Sequence, residues 1–291
     1  MKSIYNFGIY CYKQLVALAG IRNVKARKLT QGQKGIFDYL SRHADPQGGY
    51  LWIHASSLGE FEQGRPLIEA IKKAQPDTKI LLTFFSPSGY EVRKDYSGAD
   101  LICYLPFDLP GNVRRFLDLT KPTKAIFIKY EFWANYLNEL KRRNIPTYIV
   151  SAIFRPKQIF FRSYGGYFRR ILKNFTHLYI QDERSRQLLA SIGIDNVSIV
   201  GDTRFDRVGD IHGQRITSCR SLRTRKKDTY CRQLVAQRRG VHYSIFQSQR
   251  QYQTHSGPTR NTRISFAIDR EITETPGYTL HTSHNRHRTV V

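Results

Sequence analysis

Two glutamates, a set of small hydroxyl residues and one arginine carry the chemistry that this 291-residue sequence can hold. They lie in Ser56-Ser57-Leu58-Gly59-Glu60, Ser86-Pro87-Ser88-Gly89, Glu131-Phe132-Trp133 and Gly201-Asp202-Thr203-Arg204-Phe205-Asp206. Each run directly follows a short apolar segment. Serine-rich turns that open helices can hold phosphate or hydroxyl groups on unpaired backbone amides. The carboxylates also have a plainer reading. Ser57-x-x-Glu60 has the spacing of a capping box, in which two side chains satisfy the first amides of a helix. Glu131 at a helix start would be favoured by the helix dipole. Spacing alone leaves both readings open.

Other chemistries are disfavoured. The serine turns come with no Walker lysine and no Gly-x-Gly-x-x-Gly, which argues against an ATPase or dinucleotide site. Before residue 211 the histidines are His43, His54 and His177, and none completes a Ser-His-Asp set. His54 falls inside a strand and reads as a satisfied core imidazole. The four cysteines (Cys11, Cys103, Cys219 and Cys231) form no Cys-x-x-Cys pair, so neither a metal site nor a disulfide framework is expected, and the thiols read as reduced and cytosolic. No cofactor is expected.

The elements that must position these residues alternate. Strand-like runs recur at Tyr50–Ala55, Lys79–Phe84, Asp100–Leu105, Lys124–Tyr130, Thr147–Ala152, His177–Gln181 and Asn196–Val200. Helical patterns lie between most of them, with apolar faces at Leu67, Ile68 and Ile71, at Val113, Phe116 and Leu117, at Phe132, Tyr136, Leu137 and Leu140, and at Leu188, Leu189 and Ile192. Runs such as Ala125-Ile126-Phe127-Ile128 are apolar on both faces, as a parallel strand covered by helices requires. The fold class is therefore α/β, a single Rossmann-like doubly wound parallel sheet. In such sheets ligands bind beyond the carboxyl ends of the strands, which is where all four polar runs fall.

The net charge of +24 needs a separate account, and its location supplies one. Residues 1–35 carry +7 with no acid, residues 36–210 only +6, and residues 211–291 carry +11. The first end, Ile4 to Ile21, is rich in apolar and aromatic residues and is followed by Arg22, Lys25, Arg27, Lys28 and Lys34. This pattern reads as a membrane-anchor helix with a basic cytoplasmic flank, spanning or interfacial. A cleaved signal peptide, weakened by Lys13, and an ordinary surface helix are the rivals. Between Glu139 and Asp182 there is no acid. That stretch holds Lys141, Arg142, Arg143, Arg155, Lys157, Arg162, Arg169, Arg170 and Lys173, interleaved with Phe154, Phe160, Phe161, Tyr164, Tyr167, Phe168 and Phe175. It could face RNA, anionic lipid or only solvent.

These residues also carry a resemblance. Trp52-Ile53-His54-Ala55-Ser56-Ser57-Leu58-Gly59-Glu60 resembles the signature of bacterial 3-deoxy-D-manno-octulosonic acid (Kdo) transferases of lipopolysaccharide assembly. In order, Ser86-Pro87-Ser88-Gly89, Tyr104-Leu105-Pro106-Phe107-Asp108, Tyr130-Glu131-Phe132-Trp133 and Gly201-Asp202-Thr203-Arg204-Phe205-Asp206 agree with it. The match covers about residues 1–210. It implies the N-terminal half of a two-Rossmann (GT-B) glycosyltransferase. Such enzymes move Kdo from CMP-Kdo to the anionic lipid A precursor (lipid IVA) on the cytoplasmic face of the inner membrane. By resemblance Glu60 is the catalytic base, and Glu131 and Arg204 stabilise the transition state. Ser56, Ser57, Gly59, Ser86, Ser88 and Arg155 are then expected to bind substrate.

The sequence after Asp210 departs from the family. A donor-binding domain should bring Gly-rich turns and apolar strands. Instead Lys:Arg passes from 15:17 in residues 1–210 to 2:13 in residues 211–291, and six of nine histidines fall there. Three regions are expected: a membrane anchor with its basic flank (1–35), a Rossmann-like acceptor-binding domain (36–210), and a disordered Arg-rich tail (211–291), translated out of frame or, as the alternative, a natural extension. The chain is then a Kdo transferase with little or no activity of its own. The alternative is a basic nucleic-acid-binding protein acting through its tail, although the near-neutral body argues that no nucleic acid is bound.

Overall fold

The computed structural model describes residues 1–201. Three helices come first: α1 (Lys2–Ala19), α2 (Val24–Gln33) and α3 (Ile36–His43). An alternating series follows, with β1 (Tyr50–His54), α4 (Leu58–Ala74), β2 (Ile80–Phe84), α5 (Pro87–Arg93), β3 (Leu101–Tyr104), α6 (Pro110–Thr120) and β4 (Pro122–Ile128). It continues through α7 (Ala134–Arg142), β5 (Thr147–Ala152), two short 3₁₀ turns, α8 (Gly166–Leu172), β6 (His177–Ile180), α9 (Glu183–Ala190) and β7 (Val197–Ile199). All seven strands read from the sequence are present, with ends that differ by at most two residues.

They form one parallel sheet in the order β3-β2-β1-β4-β5-β6-β7. This is the doubly wound order with one strand added at the edge. The order reverses between β1 and β4, which leave the sheet side by side and feed connections on opposite sides. A crevice opens at such a reversal. The loop after β1 carries Glu60 and the loop after β4 carries Glu131.

β1, β2, β3 and β5 are buried throughout, so both faces of the central sheet are covered, as their apolar runs require. Trp52 anchors one face, with ring centroids 5.1 Å from Phe116 of α6, 5.2 Å from Phe127 of β4 and 5.5 Å from Tyr136 of α7. On the other face α4 lies directly on the sheet. A Cβ added to Gly64 would stand 3.1 Å from Ile128, and Phe61 meets Phe84 at 5.8 Å.

The N-terminal anchor expectation is corrected. Among the described residues no helix is long and apolar enough to cross a membrane. The expected inner-membrane localisation and the cytoplasmic membrane face as a partner fall with it. The physical reason lies in α1 itself. Its 18 residues include Lys2, Asn6, Lys13 and Gln14, where a span needs about 20 mostly apolar residues. Part of its polar and aromatic content is also committed to the body. The Tyr5 hydroxyl donates to Asp108 Oδ2 at 2.7 Å, Asn6 Oδ1 accepts from Asn135 Nδ2 at 2.8 Å, and Tyr12 lies 6.3 Å from Phe85 and 6.0 Å from Phe107. The other face, with Ile4, Phe7, Leu15 and Leu18, is exposed.

The expected tail, residues 211–291, lies outside the described residues.

Candidate active site

The site forms where β1, β2 and β4 end together. His54, the last residue of β1, pairs with Thr83 on β2 and Phe127 on β4. It is fully buried, and its Nδ1 lies 2.8 Å from Thr83 Oγ1. Trp52 shares its face of β1, since strand side chains alternate. Its Nε1–H donates to the same Thr83 oxygen at 2.8 Å.

β4 stops at Ile128, and the next residue, Lys129, has a φ of 67° that puts a non-glycine residue in the left-handed region. That conformation costs about 1–2 kcal/mol for an L-residue. It is held by the Lys129 N–H, which donates to the Val150 carbonyl at 2.9 Å. If the chain ran straight on from Ile128, Glu131 would lie roughly 10 Å past the strand end. The turn brings it back, and Glu131 Oε2 sits 3.4 Å from His54 Nε2. The Trp133 Nε1–H donates to the same oxygen at 2.6 Å, and Glu131 is only 9% exposed.

Glu60 is the third helical residue of α4. The Ser57 N–H donates to Glu60 Oε2 at 3.0 Å, completing the capping box that the spacing suggested. A carboxylate has two oxygens, so capping and accepting a proton are compatible. Burial pushes the Glu60 carboxyl above its ordinary value of 4.5 and the charge of Glu131 adds to this, while His54, the Ser57 N–H and Lys129 pull it down. Glu60 and Glu131 therefore share one rim and one field.

The serine turns are stitched together. The Ser56 carbonyl accepts the Phe85 N–H at 3.2 Å and the Ser86 N–H at 2.7 Å. Ser86 caps α5, its Oγ accepting from the Ser88 N–H at 3.3 Å and lying 2.9 Å from Ser88 Oγ. A Cβ on Gly89 would fall 2.3 Å from the Phe84 ring and 3.2 Å from the Leu58 nitrogen, so only glycine lets α5 sit this close to the start of α4. Gly59, by contrast, is exposed, and a Cβ there would meet nothing within 4 Å. The space above the first turn of α4 is open.

Other expected residues stand apart. Arg155 is exposed in the loop after β5, where its N–H donates to Gln158 Oε1. Among the described residues no hydrogen bond or ion pair joins it to either glutamate. Arg204 lies outside the described residues. The acid-free stretch turns out to be mixed. Arg142 and Arg143 pair with Glu139, Arg143 also with Asp118, and Arg169 donates to the Phe160 and Arg162 carbonyls. Phe154, Phe160 and Phe175 are core residues and no stacking platform for RNA bases. Among the described residues no group of three or more His, Cys, Asp and Glu side chains is placed to hold a metal.

Two readings of single residues are revised. Glu131 does not open α7, which begins at Ala134. The helix start is served by Asp108 from the loop after β3, whose Oδ2 accepts the Asn135 N–H and whose Oδ1 accepts the Tyr136 N–H, each at 3.0 Å. His54 is not a fully satisfied core imidazole, because its Nε2 has no hydrogen-bond partner and faces Glu131. Thr83, Lys129, Asp108 and Trp133 join the site through contacts that motif spacing does not single out. A polar residue inside an otherwise apolar strand, as His54 and Thr83 both are, was the available signal.

A family comparison covers this ground. The family described as 3-deoxy-D-manno-octulosonic-acid transferase (kdotransferase) matches residues 26–207. The chain belongs to this family. The matched stretch contains every described residue of the site, while α1 precedes it. Relatives named 3-deoxy-D-manno-octulosonic acid transferase are similar to the chain at modest identity. That of Haemophilus influenzae is 26% identical over 221 residues, covering 74% of this chain and 51% of the relative. That of Aquifex aeolicus is 30% identical over 159 residues, covering 54% and 41%. That of Rickettsia bellii is 28% identical over 202 residues, covering 68% and 46%. This member of the Kdo transferase family thus spans about half the length of the curated relatives it matches.

Proposed function

We propose that residues 36–210 are the acceptor-binding half of a glycosyltransferase that moves Kdo from CMP-Kdo to the lipid A precursor with inversion at the anomeric carbon. Glu60 is the general base. It takes the proton of an acceptor sugar hydroxyl as that oxygen attacks the anomeric carbon and the bond to the CMP phosphate breaks. Glu131 lies beside it as a fixed charge at the reacting centre, and Arg204 neutralises charge on the departing phosphate. Ser56, Ser57, Ser86 and Ser88 line the rim with hydroxyls and backbone amides for the acceptor, and Gly59 leaves the approach open.

The observation that carries this reading is geometric: half-buried Glu60 and buried Glu131 follow β1 and β4, the two strands between which the sheet order reverses, and burial and the Glu131 charge raise the Glu60 carboxyl. A base works best with an affinity for protons near the operating pH, and burial beside a like charge moves a glutamate that way. Titration calorimetry of the 291-residue chain with lipid IVA tests it. We expect measurable binding that Glu60→Gln leaves within about threefold and that the double change Ser86→Ala, Ser88→Ala weakens by about ten-fold, the equivalent of about 1.4 kcal/mol. Absence of binding by the unaltered chain rejects the reading.

We further propose, from the change in composition after Asp210, that residues 211–291 are read out of frame. Product formation from CMP-Kdo and lipid IVA, followed by mass spectrometry, is then expected to be slight. Ordinary turnover by the purified chain overturns this second part alone.

A further inference from the structure

We propose that Trp52, Thr83, His54 and Trp133 form a polar relay that converges on Glu131 from two sides, in which His54 is the positioning residue for Glu131. Donor and acceptor chemistry sets the direction. An indole N–H can only donate and a carboxylate can only accept, so the two ends cannot reverse. Trp52 Nε1–H occupies an acceptor site on Thr83 Oγ1 at 2.8 Å. At the far end His54 Nε2 faces Glu131 Oε2 at 3.4 Å, an electrostatic contact that does not meet hydrogen-bond geometry, and it has no other partner. A bare ring lone pair would be repelled by a carboxylate oxygen, so Nε2 carries the proton. With the ring neutral and its proton on Nε2, as the proposal requires, Nδ1 accepts and the Thr83 hydroxyl, 2.8 Å away, donates to it.

The order is Trp52 Nε1–H to Thr83 Oγ1–H to His54 Nδ1, then His54 Nε2–H to Glu131 Oε2. That oxygen also receives the Trp133 Nε1–H at 2.6 Å. Each donor in such a series polarises the next. Trp52, Thr83 and His54 are fully buried, so water cannot replace a member. At 3.4 Å the His54–Glu131 contact is longer than an ordinary hydrogen bond, which makes it the link that tightens when the site fills. Two donors on Oε2 hold the carboxylate in one orientation and leave Oε1 for the reacting centre. That last consequence rests on the transferase reading, whereas the chain itself does not.

The protein carries its own probes. It has two tryptophans, Trp52 and Trp133, and they stand at the two ends. In ¹H–¹⁵N spectra of the labelled 291-residue chain their indole signals can be assigned with Trp52→Phe and Trp133→Phe. Thr83→Val removes the hydroxyl at nearly constant volume. We expect it to move both indole signals, that of Trp133 included, although Thr83 does not bond to Trp133. Thr83→Ser keeps a hydroxyl and should restore both. Long-range histidine spectra should show His54 with its proton on Nε2 in the unaltered chain.

A Thr83→Val spectrum in which only the Trp52 signal moves overturns the proposal, as does a His54 proton on Nδ1. Should Thr83→Val fail to fold, Glu131→Gln interrogates the chain from the other end and must shift the distant Trp52 signal, and a stationary one is equally fatal. None of these readouts needs donor or acceptor, so the relay and the transferase reading can fail separately.

Discussion

Glu60 and Glu131 are the same side chain in unlike surroundings, and the difference can be titrated. Because burial and then Glu131 raise the Glu60 carboxyl, Glu131→Gln should lower its midpoint in ¹³C-carboxyl spectra, and Lys129→Met should raise it further. The folded chain holds the Glu60 proton more tightly than the unfolded chain. The stability this contributes is complete below 4.5 and is lost as pH rises through the folded midpoint, so Glu131→Gln should shrink that loss. An unchanged Glu60 midpoint in Glu131→Gln would mean that the two carboxylates do not share a field. Stability separates the two roles of Glu60. Glutamine also serves at the third position of a capping box, so Glu60→Gln should alter urea unfolding by less than about 0.5 kcal/mol, whereas Glu60→Ala should cost about 1 kcal/mol. The cap was legible because it is local, three residues apart on one helix. The link from His54 to Thr83 and Glu131 was not, since it depends on strand register and on a left-handed turn at Lys129 that no local pattern announces.

At the scale of elements, the sheet was legible and the docking of α1 was not. Seven apolar runs separated by helical patterns leave few ways to bury both faces. Aromatic residues in α1 admit two environments, and local sequence does not distinguish lipid from a protein surface a hundred residues away. The contact that decides is Asp108, which joins Tyr5 of α1 to the first amides of α7. Asp108→Ala leaves two helix-start amides and the Tyr5 hydroxyl without this acceptor, and should cost about 2–4 kcal/mol in urea unfolding. Burial pushes the Asp108 carboxyl from 3.8 up to about 6, against the pull of its three hydrogen bonds. Between those values the folded chain keeps a proton that the unfolded chain has lost. Stability should therefore decline as pH rises from about 4 to 6, and Asp108→Ala should remove most of that decline. A loss of stability in the opposite direction, on acidification across this window, would show that the hydrogen bonds dominate instead.

At the scale of the whole molecule, charge and composition divide the chain more sharply than its length does. Residues 36–210 are near balance at +6, whereas residues 211–291 carry +11 with 13 arginines against two lysines. Apolar runs in that segment are short, such as Ser244-Ile245-Phe246. The body, ending with β7 at Ile199, has its own core. A chain cut after residue 210 should accordingly melt within about 2 °C of the intact one, because the core of the sheet domain is drawn from residues between Leu29 and Ile194. The same pair of chains tests the nucleic-acid alternative. An arginine-rich segment binds polyanions through counterion release, so the intact chain should retain DNA on a filter at low salt, lose it steeply as salt rises, and bind no better to one sequence than another. The cut chain should retain none. Salt-resistant or sequence-selective retention by the cut chain would place nucleic-acid recognition in the sheet domain and displace the transferase reading. The encoding DNA separates the two origins of the tail. If another frame past codon 210 yields Gly-rich turns between apolar strand runs, the arginines are a by-product of translation. If neither other frame does, the frame-shift account is wrong and the segment must be explained by what it binds.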